Sequence, residues 1–284
     1  MRNGFPMCGL ISACFFLVGA IQQVAFSQSN LANSDGKSNH FDVRSYSNGP
    51  SVKSVLHLCE TVRAELQRVW QADSKCEKWE PRCEIVLHPN RQSYQNIVAG
   101  DFSSFGSSLI QLDAGKIVAR RIDLLVAQDG SLSALPHELT HVVLADHFKG
   151  RQPPLWMDEG IAMLADTREK QLLHQRDCIE AMTTGRAFPL KDLIQLEQFT
   201  SAEQVPAFYG QSLTLVRMLS EQGKPQTVVH FTIDALDLGV ERALQKHYAI
   251  QNLHELEKRW KVAVDVRATV SPQSAAIVNV RFQP

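Results

Sequence analysis

The sequence predicts an α+β protein in which a small β-sheet precedes a helical region. Short runs typical of β-strands, CEIVLHP, SSLIQLD and KIVARRIDLLVA, fall between residues 83 and 127. After Gly130 the apolar residues recur at helical spacing instead, as far as about Ala268. We therefore expect an N-terminal α/β lobe over residues 51–130 and a helical lobe over residues 131–268.

The N-terminal end of the chain predicts a secretory signal peptide over residues 1–27. The apolar run from Met7 to Ile21 is short for a membrane span but suits the core of such a signal. Cleavage is expected after Ser27, with Ala20 as the alternative site and an uncleaved membrane anchor as the competing interpretation. The mature protein is then secreted or periplasmic. Residues 28–50, rich in Ser, Asn and Gly, predict a flexible linker.

Helical spacing predicts the remaining elements in chain order. An amphipathic helix is expected over residues 52–71, before the strands, and a shorter helix near residues 94–99. Six further helices are predicted, over residues 133–147, 155–166, 169–182, 205–222, 226–238 and 253–264. The C-terminal tail, residues 269–284, has no clear pattern.

Export places the cysteines in a compartment where disulfides persist. Four cysteines follow the predicted signal, Cys59, Cys76, Cys83 and Cys178, and they allow three pairings. We expect Cys76 to pair with Cys83, which closes a short loop and leaves Cys59 to Cys178. The cysteines are too scattered for a cysteine-based zinc site.

The charge balance argues against nucleic acid as a partner. Lys and Arg total 29 and Asp and Glu total 30, for a formal net charge of -1. We expect no nucleic acid and no membrane contact beyond the signal segment, and the oligomeric state stays open.

The segment LPHELTHVVLADHF carries a metal-binding pattern. His137 and His141 lie one helical turn apart and project from the same face. Two imidazoles so placed can ligate one zinc ion, and Glu138 between them faces a water at the metal rather than the metal itself. Glu138 is therefore the predicted general base. The alternative is a chance match within an ordinary helix.

The segment PPLWMDEGIAMLAD supplies the candidate third ligand. Catalytic zinc usually takes three protein ligands and one water, and Glu159 lies in the first turns of this helix. Gly160 is expected to let this helix and the HELTH helix approach closely. Asp158 is expected to be an exposed helix-start acid, with contact to a metal ligand as its alternative role. Trp156, Met157 and Phe208 are expected to line the core or a cleft.

The run HELTH followed by WMDEGIA resembles the gluzincin zinc metallopeptidases. The likeness is distant to the aminopeptidase N catalytic domain, closer to the bacterial proteins grouped as peptidase MA-like, and covers roughly residues 133–223. It implies a thermolysin-like zincin fold, a peptide or protein substrate, and one zinc ion held by His137, His141 and Glu159. The aminopeptidase segment Gly-x-Met-Glu-Asn is missing upstream, so exopeptidase action is not implied.

The resemblance continues in FYGQSLTLVRMLSEQG. This run is similar to the aminopeptidase segment whose tyrosine stabilises the oxyanion, which implies that role for Tyr209. The alternative is a helix tyrosine packed at a lobe interface. His174 and Asp177 are expected to be an exposed pair. One strand within residues 104–126 is expected to form the cleft edge, where an extended peptide adds as a further strand.

These patterns together predict an exported zinc-dependent metallopeptidase. Two other hypotheses stay open. One is a zinc-stabilised, non-catalytic binding protein of the same fold. The other is a plain exported helical domain in which HELTH is fortuitous.

Overall fold

The computed structural model describes residues 13–18, 33–71, 78–98, 104–148 and 150–269. Side chains are described from residue 33 to residue 265 within these ranges, except at residue 71. Both predicted signal cleavage sites, Cys76 and the chain beyond residue 269 lie outside the described residues.

Six strands form one mixed sheet. They are β1 (Ala13–Val18), β2 (Ser34–Lys37), β3 (Phe41–Ser45), β4 (Cys83–His88), β5 (Gly106–Asp113) and β6 (Lys116–Leu125). Their order across the sheet is β1-β5-β6-β4-β3-β2. The pairs β1–β5, β6–β4 and β4–β3 are parallel, whereas β5–β6 and β3–β2 are antiparallel.

Most of the helical structure follows the sheet. The helices of the described residues are α1 (Val52–Gln71), α2 (Arg91–Gln95), α3 (Leu135–Ala145), α4 (Leu155–Ala162), α5 (Arg168–Thr183), α6 (Leu190–Gln195), α7 (Gln204–Glu221), α8 (Pro225–Leu238), α9 (Val240–Tyr248) and α10 (Leu253–Thr269). Short 3-10 turns continue α3 and α4, at Asp146–Phe148 and Met163–Ala165. The predicted α+β class, with the sheet N-terminal and the helices mainly C-terminal, is confirmed. Within the described part of the chain, no helix has the length and apolarity needed to cross a membrane.

The chain divides into two compact units. One comprises residues 1–61 and 78–142 and contains the sheet, and the other comprises residues 62–77 and 143–284. The second unit is built around α7, which is buried at every position from Ala207 to Ser220. Helices α4, α5, α8 and α10 contact α7.

The two faces of the sheet differ in chemistry because side chains alternate along a strand. One face is apolar and carries fully buried side chains, among them Phe41, Ile85, Leu87, Ile122 and Leu124. The opposite face carries a ladder of alternating charges across β3, β4 and β6, formed by Arg44, Glu84, Arg121 and Asp123. The distances between successive charged atoms are 3.1, 3.2 and 2.7 Å. Pairing each charge with a neighbour of opposite sign offsets the cost of burying part of this face.

Strands β2 and β3 lie inside the segment that the sequence predicts to be a linker. The prediction for residues 28–50 is therefore wrong over this part. Phe41 and Val43 are 0% and 1% exposed, and the polar residues Asp42 and Arg44 that alternate with them point to the other face. The short alternating run FDVRS is difficult to recognise in the sequence, because the Ser, Asn and Gly residues on both sides dominate the local composition.

Most helix predictions are confirmed, with differences at short elements. Helix α1 spans the predicted residues 52–71. Helix α2 begins three residues before the expected start, because Asn90 caps it by accepting a hydrogen bond from the Ser93 amide. Helices α6 and α9 were not predicted from the sequence. Helix α6 has only six residues, and α9 has nine and follows α8 after Gly239 alone, between the predicted helices over residues 226–238 and 253–264.

The expected disulfides are not formed. Cys59, Cys83 and Cys178 are free and buried, so the Cys59–Cys178 pairing and a bridge at Cys83 are both wrong. Burial raises the pKa of Cys178 to about 11, and it raises the pKa of Cys59 and Cys83 well above the ordinary thiol range. Protonated thiols are poor nucleophiles and poor metal ligands, which fits packing positions. Cys178 instead lies 3.4 Å from the Thr214 hydroxyl.

Replacing Phe41 by alanine tests whether β3 belongs to the folded core. Deleting a fully buried phenylalanine side chain costs about 3–5 kcal/mol, so we expect a large drop in the free energy of unfolding, measured by denaturant titration. The matched control is Arg44→Ala in the same strand. Its side chain is 58% exposed and its ion pair is worth under about 1 kcal/mol. Equal and small effects of the two changes would restore the linker interpretation.

Candidate metal centre

Helix α3 is a buried helix, which makes it a rigid support for its polar side chains. Leu139, Val142 and Val143 are at most 1% exposed. Pro136 lies in the first turn, where its missing N–H has no helical partner to lose. Its carbonyl accepts a hydrogen bond of 2.7 Å from the Thr140 hydroxyl. An immobile helix fixes the directions of whatever it carries.

The two histidines of α3 lie side by side. The ring centroids of His137 and His141 are 5.1 Å apart, with an angle of 68° between the ring planes. Each side chain is 1% exposed. The i, i+4 spacing predicts this proximity, and the geometry agrees with the prediction.

Glu159 of α4 completes the group with the two histidines. One ligand atom from each of His137, His141 and Glu159 lies within 4.8 Å of the others, and all three residues are buried. Two imidazoles and one carboxylate match the donors that zinc takes at bond lengths of about 2.0–2.2 Å. Ligand atoms around such an ion lie about 3.5 Å apart in a tetrahedron, so small side-chain adjustments suffice. This buried group could hold a metal ion.

The position of α4 is set by its contact with α7. A Cβ added at Gly160 would lie 2.4 Å from Val216 Cγ2 and 2.8 Å from the Ser212 carbonyl oxygen. Only the hydrogen atom of a glycine fits at this position, so α4 and α7 can pack in direct contact. The sequence predicted close approach at Gly160, but assigned it to the HELTH helix. The partner is α7, which places the neighbouring Glu159 on a fixed backbone.

Glu138 is the most deeply buried acid of this region, at 0% exposure. It lies on α3 between the two histidines and packs against Gly106 at the start of β5. Its predicted role as general base stays a prediction.

Tyr209 lies in an aromatic cluster on α7. Its ring stacks on His174, with centroids 5.8 Å apart and planes at 30°, and lies 6.3 Å from Phe199 at 32°. Phe208 meets it edge-on at 5.4 Å. The tyrosine is 4% exposed, so the cluster holds its ring in one orientation. Its predicted oxyanion role stays a prediction.

His174 is a residue that the sequence interpretation misjudged. It was expected to form an exposed pair with Asp177, but it is 5% exposed, and its Nδ1 lies 3.8 Å from an Asp177 oxygen. The reason is close packing of α5 on α7. A Cβ at Gly210 would lie 2.6 Å from the His174 carbonyl oxygen and 2.5 Å from the Cys178 amide. Gly210 inside an apolar helix was the available signal for this contact.

Asp158 is also buried, at 3% exposure, so the expectation of an exposed helix-start acid is wrong. Trp156 and Met157, expected in the core or a cleft, are 0% and 1% exposed. His147 is half-buried, and burial lowers its pKa. Neither Asp158 nor His147 belongs to the group of potential metal ligands.

Comparison with known proteins gives no assignment. No protein family matches the chain, and no curated protein matches it. The site itself therefore carries the functional argument.

Single changes at the three candidate ligands test whether the group binds metal. We expect His137→Ala, His141→Ala and Glu159→Ala each to lower the zinc content of the purified protein well below one ion per chain, because each removes one of three donors. The measurement is elemental analysis after dialysis against dilute zinc.

The matched control for this measurement is His254→Ala, since His254 is exposed on α10. A protein that carries no zinc, or variants that retain the full amount, would contradict the assignment.

Proposed function

We propose that this chain is an exported zinc-dependent metallopeptidase of the gluzincin type, with a thermolysin-like zincin fold. The single observation that carries the proposal is the buried group of His137, His141 and Glu159, with Glu138 between the two histidines. Two imidazoles, a carboxylate ligand and a second carboxylate beside them are the set that metal-assisted hydrolysis of amides requires.

Zinc is the proposed cofactor, as one ion per chain. The donors are nitrogen and carboxylate oxygen, and Mg²⁺ and Ca²⁺ prefer sites made of oxygen alone. When bound, zinc would lower the pKa of a water molecule to about 7 and polarise the carbonyl of the substrate. His137, His141 and Glu159 would hold the ion.

The chain's own residues would handle the proton and the developing charge. The Glu138 carboxylate accepts a proton from the attacking water and then delivers it to the leaving amine. The Tyr209 hydroxyl donates a hydrogen bond to the oxyanion of the tetrahedral intermediate. His174 and Phe199 flank the Tyr209 ring and keep its hydroxyl in a constant direction.

The part of the sheet beside Glu138 supports the proposal of a peptide substrate. Strand β5 runs antiparallel to its inner neighbour β6, and its first residue, Gly106, packs against Glu138. On its other side, β5 pairs in parallel with β1, which forms the border of the sheet. Residues 1–27 are proposed to be a signal peptide, and its removal takes β1 away. An extended peptide can then pair with β5 in its place.

The direct test of the function is Glu138→Gln, which keeps the shape of the side chain and removes the base. We expect full zinc content and a loss of peptide hydrolysis by about 10²- to 10⁴-fold, measured with a peptide library and elemental analysis. The matched control is Glu169→Gln, on an exposed position in the first turn of α5, with unchanged activity. Equal cleavage by Glu138→Gln and the parent protein would refute the proposal.

Tyr209→Phe tests the oxyanion donor separately. The phenyl ring keeps its contacts with His174 and Phe199, so we expect normal zinc content and a kcat lower by about 100-fold. Steady-state kinetics on the best library peptide measures it. An unchanged kcat would show that Tyr209 is only a packed aromatic residue.

A second candidate function is favoured by the depth of the site. His137, His141, Glu138 and Glu159 are all at most 1% exposed, which is also typical of a structural zinc site. A zinc-stabilised, non-catalytic binding protein would bind one zinc ion and cleave no peptide. Chelation of the zinc would lower its melting temperature by a large amount. Zinc content and library cleavage measured on one preparation separate the two functions.

A further inference from the structure

The side chain of Glu138 rests against backbone, at the first residue of β5. A Cβ added at Gly106 would lie 2.7 Å from Glu138 Cγ, 3.0 Å from Glu138 Oε1 and 2.8 Å from Ala134 Cβ. Contacts below about 3 Å force something to move in a close-packed interior. The backbone of Gly106 is therefore a wall that limits the conformations open to the Glu138 carboxylate.

Ser104 and Phe105, the two residues before Gly106, are held by contacts with α2. The Tyr94 hydroxyl and the Ser104 hydroxyl are hydrogen-bonded at 2.8 Å. Arg91 donates to the Ser104 carbonyl oxygen, and its guanidinium lies 4.6 Å from the centre of the Phe105 ring. On the sheet side, the Leu125 amide donates to the Phe105 carbonyl oxygen at 2.9 Å. The approach to Gly106 is thus held from two sides.

Helix α2 is in turn anchored to the polar face of the sheet. The Nδ1 atom of His88 lies 3.0 Å from the Ser93 hydroxyl, and its Nε2 lies 2.7 Å from Asp123 Oδ1. The His88 ring also meets the Tyr94 ring edge-on at 5.7 Å. Burial acts to raise the pKa of Asp123, but hydrogen bonds from Arg121 and His88 outweigh it and hold the pKa below its ordinary value. Asp123 therefore stays ionised and holds the imidazole firmly.

Tyr94 is suited to act as a fixed tether. It is 1% exposed, so its hydrogen bond to Ser104 is shielded from competing water. Burial, together with the nearby charge of Glu138, raises the pKa of the Tyr94 phenol far above its ordinary value. The phenol is therefore always protonated at the pH where a peptidase works.

We propose that Tyr94 is a positioning residue for Glu138: through Ser104 it holds the start of β5 so that Gly106 confines the carboxylate in its working orientation. This inference rests on the proposed role of Glu138 as general base. Tyr94 needs no contact with substrate or metal, because it acts through the backbone of residues 104–106. Loss of its hydroxyl leaves the ring in place and removes one of the contacts that hold that backbone.

The test uses the full mature protein loaded with zinc and five variants. Tyr94→Phe and Ser104→Ala each remove one side of the hydrogen bond, and a double variant removes both. Ser104→Thr keeps a hydroxyl and serves as the rescue. The matched control is Tyr248→Phe, because Tyr248 is a buried tyrosine whose hydroxyl makes no hydrogen bond with the described residues.

Two measurements are made on each variant. Hydrogen exchange of the peptide covering residues 104–108 reports on the tether without reference to activity, and we expect it to rise at least about tenfold in Tyr94→Phe and Ser104→Ala. Steady-state kinetics should show a kcat about tenfold lower with KM and zinc content unchanged, because the base is misplaced while binding is intact. The double variant should lose no more than either single one, and Ser104→Thr should recover most of the kcat.

The outcomes against the proposal are distinct. Parent-like exchange and kcat in Tyr94→Phe, an equal loss in Tyr248→Phe, or multiplying losses in the double variant would each overturn the tether. A parent protein that binds zinc but hydrolyses no peptide overturns the proposed function and the role of Tyr94 together. An active parent whose Tyr94→Phe variant matches it overturns the role of Tyr94 alone.

Discussion

The structure depends most on one constraint, the gathering of three ionisable side chains in a place that water does not reach. Burying an imidazole pair and a carboxylate at 1% exposure costs free energy that polar or ionic partners must offset. A divalent cation could be one such partner, because it replaces the lost hydration of each donor at once. A buried helix carries two of these donors, and a glycine contact lies behind the helix that carries the third.

Two glycines permit the close packing around this group, because neither has a side chain that would separate the packed elements. Gly160 lets α4 lie against Ser212 and Val216, which fixes the helix that carries Glu159. Gly106 brings the backbone of a strand onto Glu138. In both cases the missing side chain lets main chain lie close to a residue of the candidate site or to the helix that carries it.

The sequence predicted the parts of the protein that local periodicity specifies. Helix α1 and the strands β4, β5 and β6 have strong patterns of their own, and the i, i+4 histidines needed only a helix to come together. What could not be predicted depends on tertiary packing. The burial of Asp158 and His174 follows from helix contacts that no local pattern records, and β3 is too short to stand out from the polar residues around it. The free state of Cys59 and Cys178 likewise depends on where each helix packs rather than on their spacing along the chain.

The two borders of the sheet have different consequences for how the protein behaves in concentrated solution. Strand β2 is four residues long, reads Ser-Asp-Gly-Lys and carries charge, which discourages another molecule from pairing with it. Strand β5 is twice that length and is mostly uncharged, and its outer edge is paired with β1. If the proposed signal peptide, which contains β1, is removed, self-association would begin at β5, beside Glu138. Crowding of molecules would then compete with the proposed peptide substrate for the same strand edge.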